Sequence, residues 1–190
     1  MEIYKIEKAS EILFSSRLNH KRITNLPYDC SPKNKDEAYA IQDNLIKKYL
    51  SLKNDSVIIG KKIGCTNEAA QKQINVNEPF YGSIISIYSS KSKCSINSKK
   101  FFNPFIEPEF SFTLNKEFAS SNEPYSFKEI YDSIDFVLPS IEIVDSRFED
   151  WKAVGINNLI ADNAVNAHWI YGNLSNNLNS INFNNHRVSL

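Results

Sequence analysis

Residues 105–114 read FIEPEFSFTL, and the alternation in this stretch decides the kind of fold that follows. Ile106, Phe110, Phe112 and Leu114 fall on one side of a strand, with Glu107, Glu109, Ser111 and Thr113 on the other. Two carboxylates therefore share a face, roughly 7 Å apart along the strand. Pro108 between them donates no backbone hydrogen bond, so the strand is expected at a sheet edge or a bulge. On a solvent-facing strand the pair needs no further explanation. If it is partly buried, a shared proton, a nearby cation or a bound metal must offset the repulsion, about 4 kcal/mol at 4 Å for an effective dielectric of 20.

A third carboxylate lies in IEIVDSR, residues 141–147, where Glu142 is flanked by Ile141 and Ile143. Glutamate inside an apolar strand is seldom buried without a partner. Three carboxylates form a hard oxygen shell, suited to Mg²⁺ or Mn²⁺ and poorly suited to a zinc site built on His or Cys.

Outward from this strand, the pattern alternates short strands with a few helices. Ile6, Ala9, Leu13 and Leu18 have helical spacing, and Ala38, Ile41, Leu45, Tyr49 and Leu52 recur on one helical face within residues 31–52, with Asp36 as the expected N-cap. SVIIGKKIGCT, residues 56–66, reads as one or two strands with a kink near Gly60. NEAAQKQINV reads as a brief helix, NEPFYGSI as a turn into a strand, and the polar residues 88–100 as a loop or edge hairpin. LNKEFASSNEP, residues 114–124, reads as a loop. Ser126 and Glu129 form a capping box for a helix whose stripe includes Ile130 and Ile134 and which Pro139 ends. A short helix, a strand over Ala167–Tyr171 and a weak strand in the Asn-rich tail complete the reading. The expected class is α+β, a helical N-terminal part over residues 1–55 packed on a mixed, rolled β-sheet over residues 56–190.

The 190 residues suffice for a real core, and 42% hydrophobic content is ordinary for a globular chain. Lys plus Arg and Asp plus Glu balance at 22 each, so no global field favours nucleic acid or an anionic membrane surface. No stretch approaches a membrane span or an export signal. Cys30, Cys65 and Cys94 lie outside any CxxC pattern, as expected for free thiols in a reducing cytoplasm.

AYAIQ (38–42), GKKIGCT (60–66), EPFYG (78–82), IEPE (106–109), LPSIEIVDSRFEDWK (138–152) and IADNA (160–164) occur in that order. Together they resemble the 2-keto-4-pentenoate hydratase family of the fumarylacetoacetate hydrolase superfamily, over roughly residues 36–172. The resemblance implies a sheet of the fumarylacetoacetate hydrolase C-terminal-domain type and a Mg²⁺- or Mn²⁺-dependent lyase. It further implies a small 2-oxo or 2-enol carboxylic acid as substrate, with water added to a 2-hydroxy-2,4-dienoate through a metal-chelated enolate in the catabolism of aromatic compounds. It maps metal ligation onto Glu107, Glu109 and Glu142, and acid/base or enolate-donor work onto Lys62. Asp162 and Asn163 are expected to line the same cavity. Arg147 either pairs with a substrate carboxylate or joins surface ion pairs with Asp145, Glu149 and Asp150. Many hydratases of the family carry an aspartate where this chain has Phe80, and its members continue with further strands beyond the equivalent of Leu190. The sheet is thus expected to be incomplete at its C-terminal end and covered in a homo-oligomer. Decarboxylation, carbon–carbon hydrolysis, or a catalytically silent role as a partner subunit are the alternatives that Phe80 and the early end leave open.

Overall fold

The computed structural model describes the chain except residues 120–122, 179–180, 184 and 190. Parts of the expected 114–124 loop and of the tail strand therefore lie outside the described residues.

Helix α1 (Ile3–Leu18) packs on α2 (Lys35–Leu50), which buries the predicted stripe of Ala38, Ile41, Leu45 and Tyr49 completely. The cap differs from expectation. Asn34 rather than Asp36 accepts the backbone N–H of Glu37, which leaves Asp36 inside the first turn, where its charge favours the helix N-terminus. Leu52 lies past the helix end and is exposed. Ala9, Leu13, Ile41, Leu45 and Tyr49 form one core with Ile85, Phe148 and Ala161, so the helical pair closes over the strand-bearing part.

Strand β1 (Ile58–Gly64) pairs antiparallel with β2 (Phe80–Ile85), its register shifting between Ile58 and Gly60, where the kink was expected. The brief helix α3 (Glu68–Gln73) joins them. The second sheet has the order β3-β6-β5-β4, from β3 (Ser89–Lys91), β4 (Phe105–Leu114), β5 (Ile134–Val144) and β6 (Asn166–Tyr171). Strand β4 is an outer strand, as Pro108 requires. The polar segment after Tyr88 makes no hairpin; β3 pairs parallel with β6, a partner far along the chain.

The capping box at Ser126 and Glu129 is present, yet its helix α4 stops at Asp132 and Ile134 already begins β5. Pro139 thus sits within a strand, opposite Phe110. The β-branched and aromatic run from Ile134 to Val144 gains a full antiparallel ladder with β4, which outweighs continuing a short exposed helix. Helix α5 (Ile156–Ala161) leads into a turn at Asn163–Val165 whose three residues all have positive φ, near 55°, 50° and 57°. None is glycine, and such backbone costs roughly 1–2 kcal/mol per residue. Neighbouring structure must therefore hold this turn in place.

Candidate metal centre

Antiparallel pairing sets Glu107 of β4 directly across from Glu142 of β5, and Glu109 across from Ser140. Cross-strand partners point to one side of a sheet, so all three carboxylates face the same way. One oxygen from each lies within 4.8 Å of the other two, in a gradient from exposed Glu107 through half-buried Glu109 to Glu142, only 1% exposed. Glu142 is held from behind: Asn166 Nδ2 donates to its Oε1 at 2.8 Å. Among the described residues its buried Oε2 accepts no aligned hydrogen bond, although Lys62 Nζ stands 3.2 Å away as an ion-pair partner.

The electrostatics follow from this crowding. Burial first, then the charges of Glu142 and Glu107, push the Glu109 carboxyl up to about 7 against the pull of Lys62. Burial likewise raises Glu142, with Lys62 and Asn166 opposing. A proton or a divalent cation relieves such a cluster. The donor set is all hard oxygen and includes a buried oxygen without a hydrogen bond, so these residues fit a Mg²⁺-like ion.

Lys62 comes from the other sheet, and its neighbours explain how it arrives. It pairs with Gly82 in the β1–β2 ladder. A Cβ at Gly82 would come 2.5 Å from the Asn163 carbonyl oxygen, so only glycine lets β2 approach the left-handed turn. Asn163 then grips β2 with its side-chain amide, accepting from Ser83 N–H at 2.7 Å and donating to Ser83 O at 2.9 Å. From α2, Gln42 donates to Tyr81 O and to Ile160 O. Lys61 turns away to Ser83 Oγ and the Tyr81 ring.

Asp162 and Asn163, expected to line the cavity, and Arg147, expected either at a substrate carboxylate or in surface ion pairs, have other partners. All three are essentially fully buried. Arg147 Nε donates to Asp162 Oδ1, and its backbone N–H donates to Oδ2 at 3.0 Å, so the pair satisfies itself rather than a ligand. Arg147 Nη1 also reaches Asn166 O, which ties the pair to the strand that holds Glu142. Trp151 lines a cavity of about 330 Å³ that also contains Glu107, with its ring edge-on to Phe105. Phe80 is buried beneath Gly64 and against Ala38, Ile160 and Ala164, so no acid occupies that position. Sequence reasoning missed Asn166 and Gln42. The available signal for Gln42 was its place one turn beyond Ala38, on the face of the helix that carries the apolar stripe.

An open mixed sheet with inward carboxylates and a buried lysine defines a fold that can carry a divalent-metal site. The 4-oxalocrotonate decarboxylase of Pseudomonas putida G7, solved with magnesium and adipate, superposes with a TM-score of 0.84 at 24% identity, over 95% of this chain and 67% of that one. The 2-keto-4-pentenoate hydratase of Paraburkholderia xenovorans (strain LB400) is 30% identical over 166 residues, 87% of this chain and 60% of that protein. A 2-hydroxypent-2,4-dienoate hydratase of Pseudomonas putida is 28% identical over 169 residues, 88% of this chain and 73% of the relative. No family model matches. Over these stretches the chain is similar to 2-keto-4-pentenoate hydratases, and it spans about 60% of the length of the first relatives it matches.

Proposed function

We propose that this chain is a metal-dependent lyase that adds water to a 2-hydroxy-2,4-dienoate or a related 2-oxo-enoic acid. The observation that carries the reading is the convergence of Glu107, Glu109 and Glu142 beside Lys62, on a fold shared with a solved 4-oxalocrotonate decarboxylase and in a chain similar to hydratases. A divalent ion, Mg²⁺ or Mn²⁺, held by the three carboxylates would supply positive charge where an enolate oxygen develops. Lys62 would donate a hydrogen bond to that oxygen or move its proton, and the Glu142 contact would fix where the ammonium points. Asn166 keeps Glu142 oriented. The Arg147–Asp162 pair and Asn163 act as positioning residues behind the site rather than as substrate ligands. The chain would work in the cytoplasm as a homo-oligomer. Exposed Ile106, Phe112 and Leu114 along outer strand β4 support association, and among the described residues no helix is long and apolar enough to cross a membrane.

Buried Phe80 favours one second reading. Without an acid there, decarboxylation of a 2-oxo acid needs one proton-transfer group fewer than hydration and could proceed from the same site. Product analysis separates the two. Incubation with 2-hydroxypenta-2,4-dienoate and Mg²⁺ should give a 4-hydroxy-2-oxo acid. Carbon dioxide released from an oxalocrotonate-type acid, with no hydration product, supports the second reading. Neither product, in protein whose melting temperature Mg²⁺ does not raise, would refute both.

A further inference from the structure

The cavity beside Glu107 holds a cation that the proposed chemistry does not use. Arg22 lines it, together with Gln73 and Asn103. Among the described residues its guanidinium makes no hydrogen bond or ion pair, its buried Nε has no hydrogen-bond partner, and it lies over the face of Phe102 at 5.3 Å. An arginine left in this state is unusual, because its fork of donors matches a carboxylate.

Besides Glu107, two carboxylates line the wall, and both already accept hydrogen bonds. Asp145 accepts the backbone N–H groups of Phe102 and Asn103 at 3.0 and 2.8 Å, and Glu149 accepts from Thr24 Oγ1 at 3.0 Å. The wall itself is built rather than loose. Ile23, next to Arg22, bridges to Phe148, and Asp145 pins the loop that presents Phe102. From Glu107 the strand runs through Phe105, one position away on the same face, towards that loop. Phe105, Val144, Val165 and Trp151 supply an apolar stretch of wall. A volume of about 330 Å³ suits a small organic acid.

We propose that Arg22 is a specificity-determining residue that binds a second carboxylate at the far end of the substrate, so that dicarboxylic 2-oxo acids are the preferred class. This rests on the metal-chelate reading of the three glutamates. The acid's 2-oxo end sits at Glu107, Glu109 and Glu142, its carbon chain lies along Phe105 and Trp151, and its terminal carboxylate meets the guanidinium. A charged hydrogen-bonded pair of this kind is worth roughly 10- to 100-fold in affinity.

The test is a thermal-shift titration with Mg²⁺ and three probes: oxalate, 2-oxohexanoate and 2-oxoadipate. Oxalate reports the metal end alone. The intact protein should bind 2-oxoadipate at least tenfold tighter than 2-oxohexanoate. R22M should bind the two equally, R22K should recover part of the preference, and the oxalate response should be the same in all three. Equal binding by the intact protein, or a preference that survives in R22M, overturns the inference while the oxalate response leaves the metal reading standing. An R22M protein that loses its oxalate response shows a structural role for Arg22 and overturns it too. No oxalate response in the intact protein removes the metal reading and this inference together.

Discussion

Replacing Glu109 by glutamine keeps the shape of the side chain and removes its charge, which separates the two costs built into the carboxylate cluster. In the metal-free protein the Glu109 carboxyl is pushed from its usual 4.5 to about 7, chiefly by burial and then by Glu142. A raised carboxyl holds its proton more tightly in the folded chain than in the unfolded one. Its contribution to stability is therefore fully present below about pH 4.5 and lost as the pH rises through 7. Full burial would make that loss about 3 kcal/mol at 1.36 kcal/mol per pH unit, and half-exposure cuts it to about 1–2 kcal/mol. At pH 8 without metal, E109Q should then melt roughly 3–6 °C above the parent for a chain of this length, whereas at pH 4.5 the two should coincide. Metal reverses the order. A divalent ion at 100 times its dissociation constant stabilises the parent by about 2.7 kcal/mol, and the variant, short of one ligand, should gain little of this. Differential scanning fluorimetry at two pH values with and without Mg²⁺ gives all four numbers. An E109Q protein that melts below the parent in chelator at pH 8, or that gains as much from Mg²⁺ as the parent does, refutes the shared-cation account of this face.

The same linkage predicts that the Mg²⁺-induced rise in melting temperature grows between pH 5.5 and 7.5, because binding must displace the proton from Glu109. A rise that is flat over that range would place the ion elsewhere. D162A should lose about 3–5 kcal/mol by stranding Arg147 in the interior, and urea unfolding with unchanged Mg²⁺ affinity in the surviving folded fraction is the expected pattern. G82A, whose Cβ would stand 2.5 Å from Asn163 O, should cost about 1–3 kcal/mol and lower turnover by displacing Lys62, measured by melting and by product formation together.

Those variants span what the sequence disclosed and what it concealed. The E-x-E strand was legible because a period of two leaves no freedom: once residues 105–114 are extended, Glu107 and Glu109 must share a face. Ile141 and Ile143 marked Glu142 as a carboxylate within an apolar strand, though as i±1 neighbours they face the other side and did not fix its burial. The Ser126–Glu129 box announced a helix start, but nothing local marked its end at Asp132, because the choice between helix and strand for Ile134–Leu138 was made by the β4 ladder. Parallel pairing of β3 with β6 was invisible in a polar segment whose partner lies about 80 residues away. The Arg147–Asp162 pair was hidden for a different reason. It depends on a left-handed turn over Asn163–Val165, and that turn contains no glycine to betray it.

That turn is also where the two sheets become one site. Lys62 belongs to the β1–β2 ribbon and the three glutamates belong to β4 and β5, so their meeting depends on what fixes the ribbon against the larger sheet. Gly82 permits the approach, Asn163 clamps Ser83 from the turn, and Gln42 reaches from α2 to both Tyr81 and Ile160. The two amide side chains are hydrogen-bonded polar groups placed where an apolar contact could slide. Sliding matters here, because a shift of even 1 Å would change the Lys62–Glu142 separation of 3.2 Å enough to break the pair. Strain at three consecutive positive-φ residues is tolerable in that light. The backbone is bent into an unfavourable region so that Asn163 faces β2 while Asn166, three residues on, faces Glu142. One short segment thereby positions both the cation and the anion of the central pair.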